Sequence, residues 1–446
     1  MRSEETKNSS SSIHQRHLHH HPYRVVVKVA LSFLLLLLGL TFRLLIPDTF
    51  SLSSPPPSPL PLQHALNTDT DDDHVPTLPS SPYISTNATD PPDTVAEACD
   101  IFVGDWVPDP SGPAYTNSTC RVIESHQDCA SNGRPDSNYV HWRWKPRDCS
   151  LPRFDPRRFL DSMRDKSWAF IGDSISRNHV QSFVCSLSQA EEAVEVYHDE
   201  EYRSKIWHFP VHNFSVSVIW TPFLVKADIF EDINGVSSSE TQLHLDVLDE
   251  KWTGQYHSFN YVVIAGGKWF LKTAIYHEND TVTGCHYCPG RNLTELGFDY
   301  AYRKVLRVVL SFVLDAKGGA FVFLRTTTPD HFENGEWFSG GTCNRTIPYK
   351  DGEVELRDVD TIMHDIEMEE FKAALEAGSK KGITLRLLDT TRLSLLRPDG
   401  HPGPYRESHP FAKDKNAKVQ NDCLHWCLPG PIDSWNDLVM EMAGTP

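Results

Sequence analysis

No cysteine occurs in the first 98 of the 446 residues; all ten lie from Cys99 onward. Positive charge is scarce: 42 Lys and Arg stand against 60 Asp and Glu, a net charge of -18 with His neutral. Such acidity argues against a nucleic-acid partner, which needs a basic face. No Gly-x-Gly-x-x-Gly or comparable cradle is present, so nothing marks a nucleotide site. No internal repeat is visible. Long apolar runs are absent save one, Val25 to Ile46.

That run carries Lys28 and Arg43 near its ends and would span roughly 33 Å as a helix, about one bilayer core. Lys and Arg stems at such positions snorkel to the headgroups. The 1–24 tail before it holds Arg2, Lys7, Arg16 and Arg24. Basic residues ahead of a span predict a cytosolic tail and a single-pass type II signal anchor over 25–46. A cleaved signal peptide is the rival reading, with Ser51-Leu52-Ser53 the best available cleavage site. Residues 47–98 are rich in Pro, Ser and Thr, with Asp71-Asp72-Asp73, and read as an extended stem without a core. His19-His20-His21 could bind a metal, but in a cytosolic tail it is read as doing nothing specific.

The even cysteine count, confined to one region, suggests disulfides and an oxidising lumen. Asn87, Asn117, Asn213, Asn279, Asn292 and Asn344 each begin an Asn-x-Ser/Thr sequon downstream of the span, which fits that compartment. Asn8 also matches but lies on the other side of the span.

The folded region is expected over 99–446. Residues 99–160 are rich in Cys, Trp and Pro with little periodicity, and read as a loop-rich N-terminal lobe tied by disulfides. Beyond it strand and helix signals alternate. Strands are expected at 168–171, 216–220, 261–265, 321–324 and 384–388, and helices at 175–187, 300–314 and 358–377. This alternation predicts an α/β sandwich with a mainly parallel sheet, and reactive residues at the C-terminal strand ends.

Within it, Trp168 to Ile171 reads as a buried strand, Gly172 as a tight turn and Ser174 as the opening of a helix. A serine there projects its hydroxyl beyond the sheet, and the helix N-terminus offers N–H groups to an oxyanion. A second stretch, Asn421 to Asn436, places Asp422 and His425 three residues apart. The carboxylate can then fix the imidazole tautomer. Serine, histidine and an orienting aspartate make an activated nucleophile set. Taken singly, Gly172-Asp173-Ser174 is an ordinary capped loop and His425 a packed histidine.

Together these stretches resemble the plant trichome-birefringence-like family. The matching residues are Gly172-Asp173-Ser174 with Arg177-Asn178, and Asp422-x-x-His425-Trp-Cys-Leu-Pro-Gly. Arg134-Pro-Asp136, Trp142-Arg-Trp-Lys145, the 325–331 block Arg-Thr-Thr-Thr-Pro-Asp-His and the 396–402 block Leu-Arg-Pro-Asp-Gly-His-Pro also match. They cover essentially 99–446. The resemblance implies an SGNH-hydrolase-like three-layer α/β/α sandwich and a Golgi polysaccharide O-acetyltransferase. Ser174 would carry the acetyl group, His425 would act as base, and Asp422 would orient His425. Oxyanion donors would be the Ser174 N–H, with Asn178, Gly266 and Gly267 as further candidates. The Ala265 to Phe270 block departs from the common family pattern, so roles there are open, including whether Lys268 faces a substrate or solvent.

The family pattern also implies the disulfides Cys99–Cys149, Cys120–Cys185, Cys129–Cys427 and Cys343–Cys423. Cys285 and Cys288 remain; their spacing suits zinc, a redox pair or a local disulfide. With no second cysteine pair free, a disulfide and no metal are expected. The acceptor is expected to be a cell-wall polysaccharide, xyloglucan first, with mannan and xylan as alternatives. No bound cofactor is expected. An acetyl donor is required, acetyl-CoA or another carrier, supplied by a Golgi membrane protein. A carbohydrate acetyl esterase and a noncatalytic glycan-binding protein are the competing readings.

Overall fold

The computed structural model describes residues 99–231, 237–316, 319–378 and 382–444. The tail, the anchor, the stem and Asn87 lie outside the described residues. Among the described residues no helix is long and apolar enough to cross a membrane.

Two antiparallel strands, β1 (Gly104–Pro108) and β2 (Trp142–Pro146), brace the N-terminal lobe. Helix α1 (Pro156–Ser162) follows, with Asp155 accepting from the Arg157 and Arg158 N–H groups. Phe159 and Leu160 are buried with Trp168, so α1 packs onto the sandwich core.

The chain then runs through β3 (Ser167–Gly172), α2 (Ser174–Leu187), β4 (Val194–His198), β5 (Lys205–Phe209) and β6 (Phe214–Trp220). Next come β7 (Val225–Asp228), β8 (Thr241–Leu248), β9 (Tyr261–Ile264), β10 (Ala274–Glu278) and β11 (Thr281–His286). Helix α3 (Gly297–Asp315), β12 (Phe321–Arg325), α4 (Asp358–Gly378), β13 (Leu385–Leu388) and α5 (Ser434–Met442) complete the core.

The main sheet has seven strands in the order β13-β12-β9-β3-β6-β5-β4. From β13 to β6 all pairs are parallel; β5 and β4 add an antiparallel edge. The α/β sandwich and its mainly parallel sheet are therefore present. Alternate residues of each central strand face opposite layers. Trp168, Phe170, Val263 and Phe323 pack beneath α2 and α5. Ala169, Ile171, Val262 and Leu324 pack against α3 and α4. Each large apolar side chain so buried contributes roughly 1.5–3 kcal/mol.

The helices form because their apolar residues recur on one face. Val180, Phe183, Val184 and Leu187 are buried along α2, and Ala301, Val305, Val309 and Val313 along α3. A second sheet, β11-β10-β8-β7, and the β4–β5 edge have no counterpart in the sequence reading. Their strands lack the continuous apolar runs of central strands: β8 alternates between buried and part-exposed positions, and β4 is exposed throughout.

Candidate active site

Ser174 is the first residue of α2, at the C-terminal end of β3. Gly172 makes this corner possible. Its φ is +154°, and a Cβ there would sit 2.4 Å from the Ala265 carbonyl oxygen. Asp173 caps the helix by accepting from the Ile175 N–H at 2.9 Å. Burial raises the Asp173 carboxyl, and Arg325 with the cap contacts offsets part of that rise. The Ser174 N–H has no acceptor among the described residues. It is one of the open donors of the helix terminus.

β9 lies beside β3, with Ile264 opposite Ile171, so Gly266 and Gly267 flank the same corner. A Cβ on Gly267 would stand 2.9 Å from Asp173 Oδ2, which is why the backbone can approach so closely. The N–H groups of Gly266 and Gly267 likewise have no acceptor among the described residues.

Asp422 and His425 lie in a tight loop near the C-terminus. The Asp422 side chain is fully buried, and its Oδ2 accepts from His425 Nδ1 at 2.9 Å. Oδ1 also receives the His425 N–H at 2.9 Å, which curls the loop around the carboxylate. Burial alone would raise this carboxyl; His425 and Arg406 outweigh it and hold the group well below the usual range. The imidazole is thereby oriented with Nε2 available for a proton.

Five disulfides are formed: Cys99–Cys149, Cys120–Cys185, Cys129–Cys427, Cys285–Cys288 and Cys343–Cys423. Two of them flank His425. Cys423 fastens the loop to Cys343, and Cys427 fastens it to Cys129 in the N-terminal lobe. The loop is also paired with Gly403 through the Asp422 backbone, at 2.9 and 3.0 Å. Cys285 and Cys288 approach Glu295 closely enough to suggest a metal set, but their sulfurs are bonded to each other.

Asn178, one turn beyond Ser174, corrects one expectation. Its side chain accepts from the Trp426 N–H at 2.7 Å and donates to the Trp426 carbonyl at 3.2 Å. It is fully buried and spent on the backbone, so it is a positioning residue and not an oxyanion donor. This clamp brings the start of α2 to the residue after His425. Asp173 lies close enough to His425 that an imidazolium there would favour its carboxylate. Among the described residues no hydrogen bond joins the Ser174 hydroxyl to His425; the hydroxyl is free to turn.

Lys268 is not solvated. Its ammonium pairs with Asp330 at 3.2 Å and with buried Asp360, and Arg357 bridges the same two carboxylates. The matched blocks 134–136 and 396–402 are scaffold. Arg397 grips Asp399 in a fully buried pair, and Arg134 donates to the Asp399 and His401 carbonyls. His401 Nδ1 donates to the His425 carbonyl at 2.7 Å, with His331 behind it at 2.7 Å.

Sequence reasoning missed several groups around this site. Glu124 and His126 come from the N-terminal lobe, and Glu124 pairs with Arg177 of α2 at 2.9 Å. Burial pushes His126 down to about 4, and nearby His425 and Arg406 push the same way. Trp220, opposite Gly172 in the sheet, packs against the Arg177 and Arg203 guanidinium groups and meets Trp269 edge-on. No spacing rule relates these positions to Ser174. The sequons at Asn117, Asn213, Asn279, Asn292 and Asn344 are all exposed.

An Asp-oriented imidazole thus sits on a loop that Asn178 clamps to the helix opened by Ser174, residue types that suit acyl transfer. Residues 97–150 match the PMR5 N-terminal domain. Protein trichome birefringence-like 25 of Arabidopsis thaliana is 58% identical over 424 residues, covering 91% of this chain and 90% of that protein. Protein trichome birefringence-like 26 of the same plant is 61% identical, covering 82% and 81%. Xyloglucan O-acetyltransferase 1 of Populus trichocarpa is 45% identical, covering 77% of this chain and 81% of that protein. Residues 151–442 match the GDSL/SGNH-like acyl-esterase family found in Pmr5 and Cas1p, and the chain belongs to that family.

Proposed function

We propose that this protein is a polysaccharide O-acetyltransferase acting on a plant cell-wall polysaccharide, with xyloglucan as its acceptor. The Asp422–His425 pair, held one clamp away from Ser174, is the observation that carries the reading. The likeness to a protein named as a xyloglucan O-acetyltransferase supports the acceptor.

In this reading His425 Nε2 takes the Ser174 hydroxyl proton as Oγ attacks the acetyl carbonyl of the donor. The oxyanion is met by the Ser174 N–H, with the Gly266 and Gly267 N–H groups beside it. The tetrahedral intermediate collapses, the donor's leaving group takes the proton from His425, and acetyl-Ser174 remains. A sugar hydroxyl then gives its proton to Nε2 and attacks the ester. Ser174 leaves and recovers the proton. The residues need no metal for these steps; the donor, acetyl-CoA or another carrier, is a substrate. A type II anchor at 25–46 would place the enzyme in the Golgi membrane with residues 99–446 in the lumen, beside a membrane protein that supplies the donor.

The family description as an acyl-esterase favours a second reading, in which water replaces the sugar hydroxyl. Incubating the full-length protein with an acetyl donor and deacetylated oligosaccharides separates the two. Acetylated sugar supports the transferase; acetate alone supports the esterase. Ser174→Ala should abolish either activity and the labelled acetyl-enzyme. Full transfer by Ser174→Ala would overturn the mechanism.

A further inference from the structure

The orienting carboxylate has a partner that acyl-transfer chemistry does not require. Arg406 Nη1 donates to Asp422 Oδ2 at 3.0 Å, the same oxygen that receives His425 Nδ1 at 2.9 Å. The Asp422 side chain is fully buried, while Arg406 is 36% exposed. One carboxylate oxygen is therefore shared between a fixed cation and the imidazole.

The guanidinium is held from both ends. Its Cζ lies 5.1 Å from the centre of the Trp337 ring. Trp337 sits in the turn closed by the Glu333–Thr342 bridge, next to Cys343, and the Cys343–Cys423 disulfide leads straight back to Asp422. On the main-chain side, Arg406 ends the short turn Pro404–Arg406, and the Tyr405 carbonyl accepts from Asn132 of the N-terminal lobe at 2.9 Å.

We propose that Arg406 is a positioning residue that sets the protonation of the His425 base by competing for Asp422. The inference rests on the reading of His425 as base. An imidazolium is favoured by the Asp422 charge and disfavoured by a cation drawing on the same carboxylate. Removing the cation while keeping the aspartate strengthens the imidazolium, so the base is lost at a higher pH. The other charged groups facing this pair are Asp173 and Arg177 from α2 and Glu124 and His126 from the lobe, with His401 and His331 behind the loop. Arg177 already pairs with Glu124. Arg406 is thus the cation in direct contact with Asp422 among the described residues.

The test compares Arg406→Gln with Arg406→Lys in the full-length protein. Gln keeps a donor and removes the charge; Lys keeps the charge. The acid limb of kcat/KM against pH is expected to move up by about 0.5–1 pH unit in Arg406→Gln and to stay with the parent in Arg406→Lys. Trp337→Ala frees the guanidinium and should give part of the same shift. Its effect should vanish when added to Arg406→Gln. If both Arg406 variants lose thermal stability and neither moves the acid limb, Arg406 is a packing residue and the proposal is overturned. Histidine-labelled NMR titration of the Ser174→Ala protein, with and without Arg406→Gln, gives a readout that needs no turnover. A shifted His425 titration there supports Arg406 even if Ser174→Ala retains transfer, an outcome that would overturn the acetyl-serine mechanism alone. An unshifted one overturns the Arg406 proposal.

Discussion

Asn178 and Trp426 exchange two hydrogen bonds, at 2.7 and 3.2 Å, across 248 positions of sequence. One side-chain amide thus joins the helix that begins at Ser174 to the loop that carries His425. The amide stands in for a backbone partner, and both the Trp426 N–H and its carbonyl are satisfied away from water. Leaving such groups unpaired costs about 1–3 kcal/mol each.

Asn178→Ala should therefore destabilise the protein by about 2–4 kcal/mol in denaturant unfolding. It should also lower acetyl transfer, because the His425 loop loses its tie to α2. Asn178→Asp keeps the acceptor for the Trp426 N–H but sets a carboxylate against the Trp426 carbonyl, and should recover little. Unchanged stability in Asn178→Ala would refute the clamp.

Asp422→Asn tests the tautomer. The amide can present its N–H to Nδ1, which moves the ring proton to Nε2 and removes the base. Acetyl transfer should fall by about 10⁴, the scale seen when a triad aspartate is made neutral. Single-turnover labelling of Ser174 measures this, and a loss below tenfold would show that Asp422 does not govern the base.

Lys268 sits beside the active-site corner, yet its pairing with Asp330 and Asp360 assigns it to the framework. Lys268→Met leaves those buried carboxylates to Arg357 alone. The expected result is a loss of about 3–5 kcal/mol in stability, with acceptor KM close to the parent value. A raised KM at unchanged stability would instead place Lys268 at the substrate.

Glu367 gives a pH dependence with a definite sign. It is buried, accepts from the Thr327 N–H and hydroxyl and from Tyr302, and burial pushes it up to about 7. The folded state therefore binds the proton more tightly than the unfolded chain, whose Glu titrates near about 4.3. The stability from this group is fully present below that value and is lost as pH rises toward about 7, by up to about 1.4 kcal/mol per pH unit. Glu367→Gln should flatten this part of the stability curve, as read by thermal unfolding across the range. A curve as steep as the parent's would assign the slope to other acids, such as Asp433 and Asp437, which burial also raises.

The strands at 168–171, 216–220 and 321–324 were readable because central parallel strands are buried on both faces and leave continuous apolar runs. Helices α2, α3 and α4 were readable because their apolar residues recur at helical spacing, although α2 is buried almost all round. The β10–β11 hairpin and the β4–β5 edge carry weaker patterns, since half their side chains meet water. At the site, Gly172-Asp173-Ser174 and Asp422-x-x-His425 were legible as types of residue at telling intervals. Lys268 was not: whether a lysine is solvated or paired depends on carboxylates 62 and 92 positions away, at Asp330 and Asp360. Arg406 was equally invisible, being one arginine in a polar segment.

The amino-acid sequence alone determined the sandwich class, the strand-to-helix corner at Ser174 and the pairing of Asp422 with His425, because each is a local matter of periodicity, turn chemistry or a three-residue reach. The tertiary structure alone decided what surrounds that corner. It spent Asn178 on Trp426, drew Glu124 and His126 from the lobe to the helix, and put Arg406 on the orienting carboxylate. These are contacts between residues far apart in the chain, formed by side chains whose burial and charge partners exist only once the loops have closed.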